Sequence, residues 1–257
     1  MKGFESGVLP TVEDVRHLLE ENPIPEISAD DLRRLLCFGC ADEILPPAVA
    51  DYIRTNGIFG PDGSCRSLPM EQLEQVVISL LKPSRVAHVL GCRDTCIALA
   101  KKWGANETDA GRAGILHDIT KALDGPLQLT LCRAYGTMLD DFSIENPKTL
   151  HALTGALVAE HIFGENEAVV SAICSHTTGK ANMNLLEKIV YVADYMEPNR
   201  DFPGVDALRE LAYRDIDLAL KTGLEMTVSM LRLQNREISK GSLEALQWLD
   251  ERMNKPC

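Results

Sequence analysis

Residues 185–195 read Leu-Leu-Glu-Lys-Ile-Val-Tyr-Val-Ala-Asp-Tyr. Leu185, Leu186, Ile189, Val190, Val192 and Ala193 cover nearly every side of a 3.6-residue turn, which predicts a helix inside a core rather than on a surface. Working outward, the same three- and four-residue recurrence returns at Val12, Val15, Leu18 and Leu19, and at Leu73, Val76, Val77 and Leu80. It returns again at Leu243, Leu246, Trp248 and Leu249, an amphipathic pattern near the end of the chain. A longer helix is expected over 84–102, its stripe running with gaps through Val86, Val89, Leu90, Ile97, Leu99 and Ala100 to Trp103. Strand-like runs of Val, Ile and Thr are few, and aromatics make up only 5% of the chain. The expected class is all-α. Gly60-Pro61-Asp62-Gly63, Asp124-Gly125-Pro126 and Phe202-Pro203-Gly204 read as turns between helices.

Composition narrows the function classes. The 257 residues are 45% hydrophobic and 25% charged, enough to bury a sizeable core. The net charge of −12, from 26 basic and 38 acidic side chains, argues against non-specific nucleic-acid binding, which needs a basic face. It does not exclude a small anionic substrate held by a metal. No apolar run approaches the roughly 20 residues that span a bilayer, so no membrane association is expected. The opening MKGFESGVLP lacks the apolar core of a secretory signal, and a cytoplasmic protein is expected. Turn residues concentrate at 60–69, and charge divides there too: residues 1–80 carry −8 and residues 81–257 carry −4. The expected organisation is therefore an acidic helical segment, 1–80, ahead of a larger domain, 81–257. Of the eight cysteines, Cys37 and Cys40 have redox or zinc-knuckle spacing but no second pair of matching spacing. All eight read best as reduced, small apolar residues.

Six histidines are present, and four fall where metal ligation is plausible. His88 lies three residues after Arg85 on the 84–102 helix. His117 and Asp118 end a run in which Ala110, Ala113 and Gly114 would let neighbouring helices approach closely. Lys121 projects to the same side, four residues after His117. His151 begins a later helical run. His176 ends the helix of Val169, Val170 and Ile173, ahead of a C-terminal turn at Gly179. Asp194 interrupts the apolar stretch 185–195, where a carboxylate is costly unless a cation or several donors meet it. Each has an ordinary explanation by itself: a buried histidine is usually a hydrogen-bonded core residue, and Asp194 could pair with Arg200. As a set they suit two six-coordinate ions with positions left for water and substrate, a catalytic rather than structural style of site. His161 follows His151 by about 280° around an ideal helix and His17 sits in the acidic N-terminal segment, so neither is expected to ligate.

The quoted residues carry a resemblance. RVAHVLGC at 85–92, AGILHDITK at 113–121, LHALTGA at 150–156, SHTTGK at 175–180 and, most specifically, KIVYVADYMEPNRDFPGVDALRELA at 188–212 are similar to the HD-domain superfamily. Within it they resemble the symmetrical bis(5'-nucleosyl)-tetraphosphatase family. That resemblance implies an all-α phosphohydrolase with two metal ions, iron in the family, cutting diadenosine tetraphosphate into two ADP. The metal ligands it implies are His88, His117, Asp118, His151, His176 and Asp194, and the nucleotide contacts Arg85, Lys121, Thr177 and Arg200. Asp118, Lys121 and Arg85 are then the residues expected at the reaction itself. The chain departs from the family near its end, where 238–247 reads ISKGSLEALQ in place of a His-Pro…Thr…Ala…Asn stretch. If that stretch meets the nucleotide, Ser242 and Gln247 are the substitutes.

A second resemblance lies in ISADDLRRLL at 27–36 and ILPPAVADYIRTNGIFG at 44–60, which look like the C-terminal tail of nicotinate-nucleotide adenylyltransferase. Only 26 residues precede Ile27, too few for the transferase's phosphate loop, so a tail without its catalytic half and no transferase activity are expected.

The expected chemistry is water activated between two cations, which also offset the charge developing on phosphoryl oxygens. Arg85, Lys121 and Arg200 would hold the remaining phosphates, Arg200 bidentately. Imidazole and carboxylate ligands suit iron, manganese, nickel or zinc alike, and only the resemblance selects iron. The competing readings are a broader hydrolase of dNTPs or nucleoside monophosphates and a non-catalytic nucleotide-sensing module. Oligomeric state is open, with a homodimer one arrangement.

Overall fold

The structure is a computed structural model that describes Glu13, residues 27–58 and residues 65–254. Fourteen α-helices and one 3-10 turn have their bounds among the described residues, which contain no strand. In chain order they are α1 (Ala29–Cys37), α2 (Ala41–Ile44), α3 (Pro47–Thr55), α4 (Met70–Leu80), α5 (Pro83–Trp103), α6 (Glu107–Leu116) and α7 (Gly125–Ala134). There follow α8 (Asp141–Glu145), the 3-10 turn Pro147–Thr149, α9 (Leu150–His161), α10 (Glu167–Ser175), α11 (Leu185–Met196), α12 (Val205–Ala212), α13 (Ile216–Leu233) and α14 (Lys240–Met253). The stripe at Val12 to Leu19, His17 and the turn at 60–63 lie outside the described residues.

The apolar stretch 185–195 is the central helix, α11, with Ile189, Val190, Val192 and Ala193 essentially inaccessible. It packs against α5, α6, α10 and α13, so no side faces water for long. A capping box starts it: Asn184 accepts from the Glu187 backbone while the Glu187 carboxylate accepts from the Asn184 N–H. The most extensive helix pairing is α5 with α6. A Cβ at Gly114 would fall only 2.8 Å from the Arg93 Cα, so glycine is what lets these two backbones meet. Ala110 and Ala113 are fully buried on the same face, as the small-residue run predicts.

Three expectations need adjustment. Asp124-Gly125-Pro126 is a helix start: Asp124 accepts from the Leu127 N–H and Pro126 occupies the first turn of α7, where its missing N–H costs nothing. On α14 the buried face is Ser242, Ala245 and Leu249, while Leu243 stays 44% exposed. The N-terminal segment also feeds the main core, since Leu35, Phe38, Cys40, Leu73 and Val77 belong to the same cluster as Ile189 and Leu116. The cysteines among the described residues are free thiols, and burial first, then Glu43, pushes the Cys40 thiol up to about 12. No helix among the described residues is long and apolar enough to cross a membrane.

Candidate metal centre

Four helix ends and one helix middle converge on a single point. His117 and His176 occupy the C-cap positions of α6 and α10, and His151 lies in the first turn of α9. Helix ends leave carbonyls without intrahelical partners. The imidazoles bond carbonyls near these ends: His117 Nδ1 lies 2.7 Å from Gly114 O, His176 Nδ1 2.7 Å from Ile173 O, and His151 Nδ1 2.7 Å from Lys148 O of the preceding 3-10 turn. A carbonyl only accepts, so each contact places the proton on Nδ1 and leaves the Nε2 lone pair facing inward. His88, in the second turn of α5, presents Nε2 to the same point, 3.3 Å from His117 Nε2. His151 and His176 meet Nε2 to Nε2 at 3.2 Å.

Asp118 stands between the two pairs, 1% exposed. Its Oδ2 lies 3.5 Å from His117 Nε2 and 3.6 Å from His88 Nε2, and its Oδ1 lies 3.3 Å from His151 Nε2 and 3.7 Å from His176 Nε2. Asp194 Oδ1 closes the far side, 3.1 Å from His88 Nε2 and 3.7 Å from His117 Nε2. Donor atoms within 4.8 Å of one another fall into three groups: His88 with His117 and Asp118; His117 with His176 and Asp194; and Asp118 with His151 and His176. Asp118 thus serves both halves of the cluster.

This donor set fits metal ions. Nε2 atoms that cannot donate to one another sit at contact distance, and the buried Asp118 Oδ1 makes no hydrogen bond. Both features are costly in an apolar interior unless cations occupy the space between. Burial opposes ionisation of Asp118, but His117, His176, Lys121 and His151 outweigh it and hold the carboxyl well below its usual range. Asp194 is likewise held low, burial being overcome by His88, His117 and Arg200. Burial, then Lys121 and His176, pushes His151 down to about 3, so it is neutral at working pH.

The ten residues singled out from sequence all come together here. Arg85 pairs with Asp118, and Lys121 Nζ lies 2.7 Å from His151 Nε2. Thr177 Oγ1 lies 3.2 Å from both His151 and His176 Nε2. Arg200 donates to the Asp194 carboxylate at 2.6 Å and to its backbone oxygen at 2.8 Å, so the ordinary pairing and the cluster coexist. His161 is outside the cluster, half exposed and stacked on Tyr135. Ser242 does not face the cluster: it is buried behind the 177–179 loop and donates to Thr178 O at 2.7 Å, while Gln247 donates to Glu251 at the surface. Gly179 takes the left-handed conformation expected of the turn after α10.

A cleft of about 800 Å³ opens from the cluster. Lys121, Thr177, Asp194 and Arg200 line its inner end, and Tyr195, Phe202, Met226, Met230 and Leu233 form an apolar wall beyond. Sequence reasoning assigned no role to that wall, because α13 shows its apolar residues only as ordinary amphipathic spacing. It also passed over Glu197, which lies 3.0 Å from His88 Nδ1; its signal was an acid one turn after Asp194 at the end of an apolar helix.

With this geometry in view, similarity to known proteins is specific. Residues 85–199, which contain all six candidate metal ligands, match the HD domain. A symmetrical bis(5'-nucleosyl)-tetraphosphatase from Halalkalibacterium halodurans is 40% identical over 170 residues, 66% of this chain and 90% of the relative. The chain belongs to the symmetrical bis(5'-nucleosyl)-tetraphosphatase family of HD-domain hydrolases. A solved structure, that of a predicted HD superfamily hydrolase involved in NAD metabolism from Clostridium acetobutylicum, superposes with a TM-score of 0.70 at 35% identity, covering 72% of this chain and 98% of that one. A probable nicotinate-nucleotide adenylyltransferase/Ap4A hydrolase from Mycoplasma pneumoniae is 30% identical over 193 residues, 72% of this chain and 51% of the relative. That family pairs the same two resemblances read from the sequence.

Proposed function

We propose that the chain hydrolyses diadenosine tetraphosphate to two ADP at a dinuclear metal centre held by His88, His117, Asp118, His151, His176 and Asp194. One observation carries the reading: Asp118 completes a three-donor group on each side of itself, at the inner end of a cleft that is cationic inside and apolar outside. When bound, two divalent cations supply acidified water at neutral pH and charge that offsets the phosphoryl oxygens.

The chain's own residues bind and orient. Arg85, Lys121 and Arg200 reach the cluster from three sides and hold the polyphosphate; Arg200 offers a planar two-point grip and Lys121 a mobile point charge. Thr177 contributes a hydroxyl at the ends of His151 and His176. Asp118 is ionised and shared between the two halves, which makes it a ligand and a poor base. Tyr195 and Phe202 give a nucleobase faces to stack on, and the Met226 and Met230 side chains adapt to it. Attack of water on the second or third phosphorus would form one P–O bond and break the central P–O–P bridge, the other half leaving as a diphosphate, so that each nucleoside keeps two phosphates. The reaction residues all lie in 81–257, with 1–80 a supporting segment.

Purified protein should contain iron or manganese by elemental analysis and convert diadenosine tetraphosphate to ADP alone, read by anion-exchange chromatography. ATP plus AMP would overturn the symmetrical cut, and faster turnover of dNTPs or monophosphates would favour a broader hydrolase. Asp118→Ala should lose metal and activity together; retention of both would reject the site.

A further inference from the structure

Among the described residues, Glu197 is a carboxylate at the cluster with no place in the proposed mechanism. It is 1% exposed, a position acidic groups occupy only when well partnered. Its Oε1 lies 3.0 Å from His88 Nδ1. Its Oε2 accepts from the Asn199 backbone N–H at 2.7 Å and from Asn199 Nδ2 at 2.9 Å. Asn199 Nδ2 also donates to Ala87 O at 3.0 Å, fastening the arrangement to the helix that carries His88. Arg209 ties down the surrounding turn by donating to Met196 O, Glu197 O and Arg200 O.

The reason for this apparatus lies in where His88 sits. His117, His151 and His176 flank helix ends and reach a carbonyl three residues upstream. His88 lies inside the 21-residue α5, where the carbonyls are committed to the helix. Its Nδ1–H needs an acceptor from elsewhere, and a residue at the C-cap of α11 reaches in to supply one. Space for it is provided by Gly91, one turn beyond His88: a Cβ there would collide with Glu197 Oε2 and lie 3.0 Å from Asn199 Nδ2.

We propose that Glu197 is a positioning residue that fixes the tautomer and orientation of His88 and strengthens it as a metal ligand, with Gly91 and Asn199 holding the carboxylate in place. A carboxylate acceptor makes the imidazole more electron-rich than a carbonyl does, so His88 becomes the strongest imidazole donor of the four. Glu197 also brings negative charge toward a site that must balance two cations, without taking up a coordination position.

The inference rests on the metal-centre reading, and the test separates the two. Apoprotein is titrated with Mn²⁺, followed by calorimetry and by the paramagnetic resonance of the free ion. Glu197→Gln keeps an acceptor of the same shape but removes the charge, and should weaken Mn²⁺ binding about 10- to 100-fold. Gly91→Ala, which leaves every ligand and charge in place, should weaken it in the same direction. In a His88→Ala background Glu197→Gln should have little further effect, because it acts through His88. Thermal unfolding of the metal-free proteins reports folding, and where Glu197→Gln unfolds, Gly91→Ala carries the same comparison. Wild-type binding with affinity unchanged in folded Glu197→Gln and Gly91→Ala would overturn the inference alone. No Mn²⁺, Fe²⁺ or Zn²⁺ binding by the wild type would overturn the metal centre and the inference with it.

Discussion

Lys121 touches the cluster at two points, 2.7 Å from His151 Nε2 and 3.6 Å from Asp118 Oδ1, yet its side chain remains 39% exposed toward the cleft. A group so placed is free to swing onto a phosphate. Lys121→Met keeps the stem and removes the charge; losing one charge-assisted phosphate contact is worth about 1.5–3 kcal/mol, or roughly 10- to 100-fold in kcat/KM. Metal content should be unchanged, since Lys121 is no ligand; a parallel fall in bound metal would contradict the assignment. The place of Lys121 beside the proposed ligands was legible because it is written in residue type and spacing: an adjacent His-Asp pair, a cation one turn on, a histidine before a glycine turn. Glu197 was not legible as a partner of His88. Its relevance depends on two helices crossing 109 positions apart in the chain, which no local pattern reports.

At the level of elements, helices with strong periodicity were readable, and those that begin on turn chemistry were not. Asp124-Gly125-Pro126 serves equally as a turn and as an N-cap with proline in the first turn; packing against α9 and α2 selects the second. The central helix shows what a start signal contributes to stability. Glu187 is almost fully buried, accepts from Asn184 N–H at 2.8 Å and from Ser171 Oγ at 2.5 Å, and meets Lys180 Nζ at 2.7 Å. Burial works against its ionised form, but Lys180, Ser171 and the Asn184 amide prevail and lower its pKa from the ordinary 4.5. A carboxylate lowered in the folded state contributes fully above 4.5, and the contribution fades as pH falls below that value through the folded-state pKa. Because Lys180 is half exposed, most of the effect comes from the hydrogen bonds. Glu187→Gln should therefore cost about 1–2 kcal/mol at pH 7 and less at pH 3, so its urea-unfolding free energy converges on that of the wild type in acid. A constant difference between pH 7 and pH 3 would show that the carboxylate charge is not involved.

At the scale of the whole molecule, the charge division at residue 80 and the packing division do not coincide. The acidic segment 1–80 looks separable by composition, and turn residues between 60 and 69 mark its end. Yet Leu35, Phe38, Leu73, Val77 and Leu80 are buried in the cluster that also contains Leu116 and Ile189. Polar ties across residue 80 repeat the message: Tyr135 donates to Phe38 O at 2.8 Å, and Arg112 to Leu68 O at 2.7 Å while clamping Glu165. Charge is carried on surfaces and legible in composition, whereas core membership depends on which face of α4 turns inward. Five large side chains, at about 1.5–3 kcal/mol each, place on the order of 7–15 kcal/mol in this contact. That equals the whole stability of an ordinary domain, about 5–15 kcal/mol. A fragment beginning at residue 81 would keep every proposed metal ligand and the whole HD match, yet expose the face of α6 that α4 covers. It should be aggregated or molten, with weak near-ultraviolet dichroism and no cooperative melt, and its Mn²⁺ affinity should fall with its order. A fragment that melts cooperatively within a few degrees of the full chain and binds metal equally well would show that residues 81–257 fold alone and that the charge boundary is the true one.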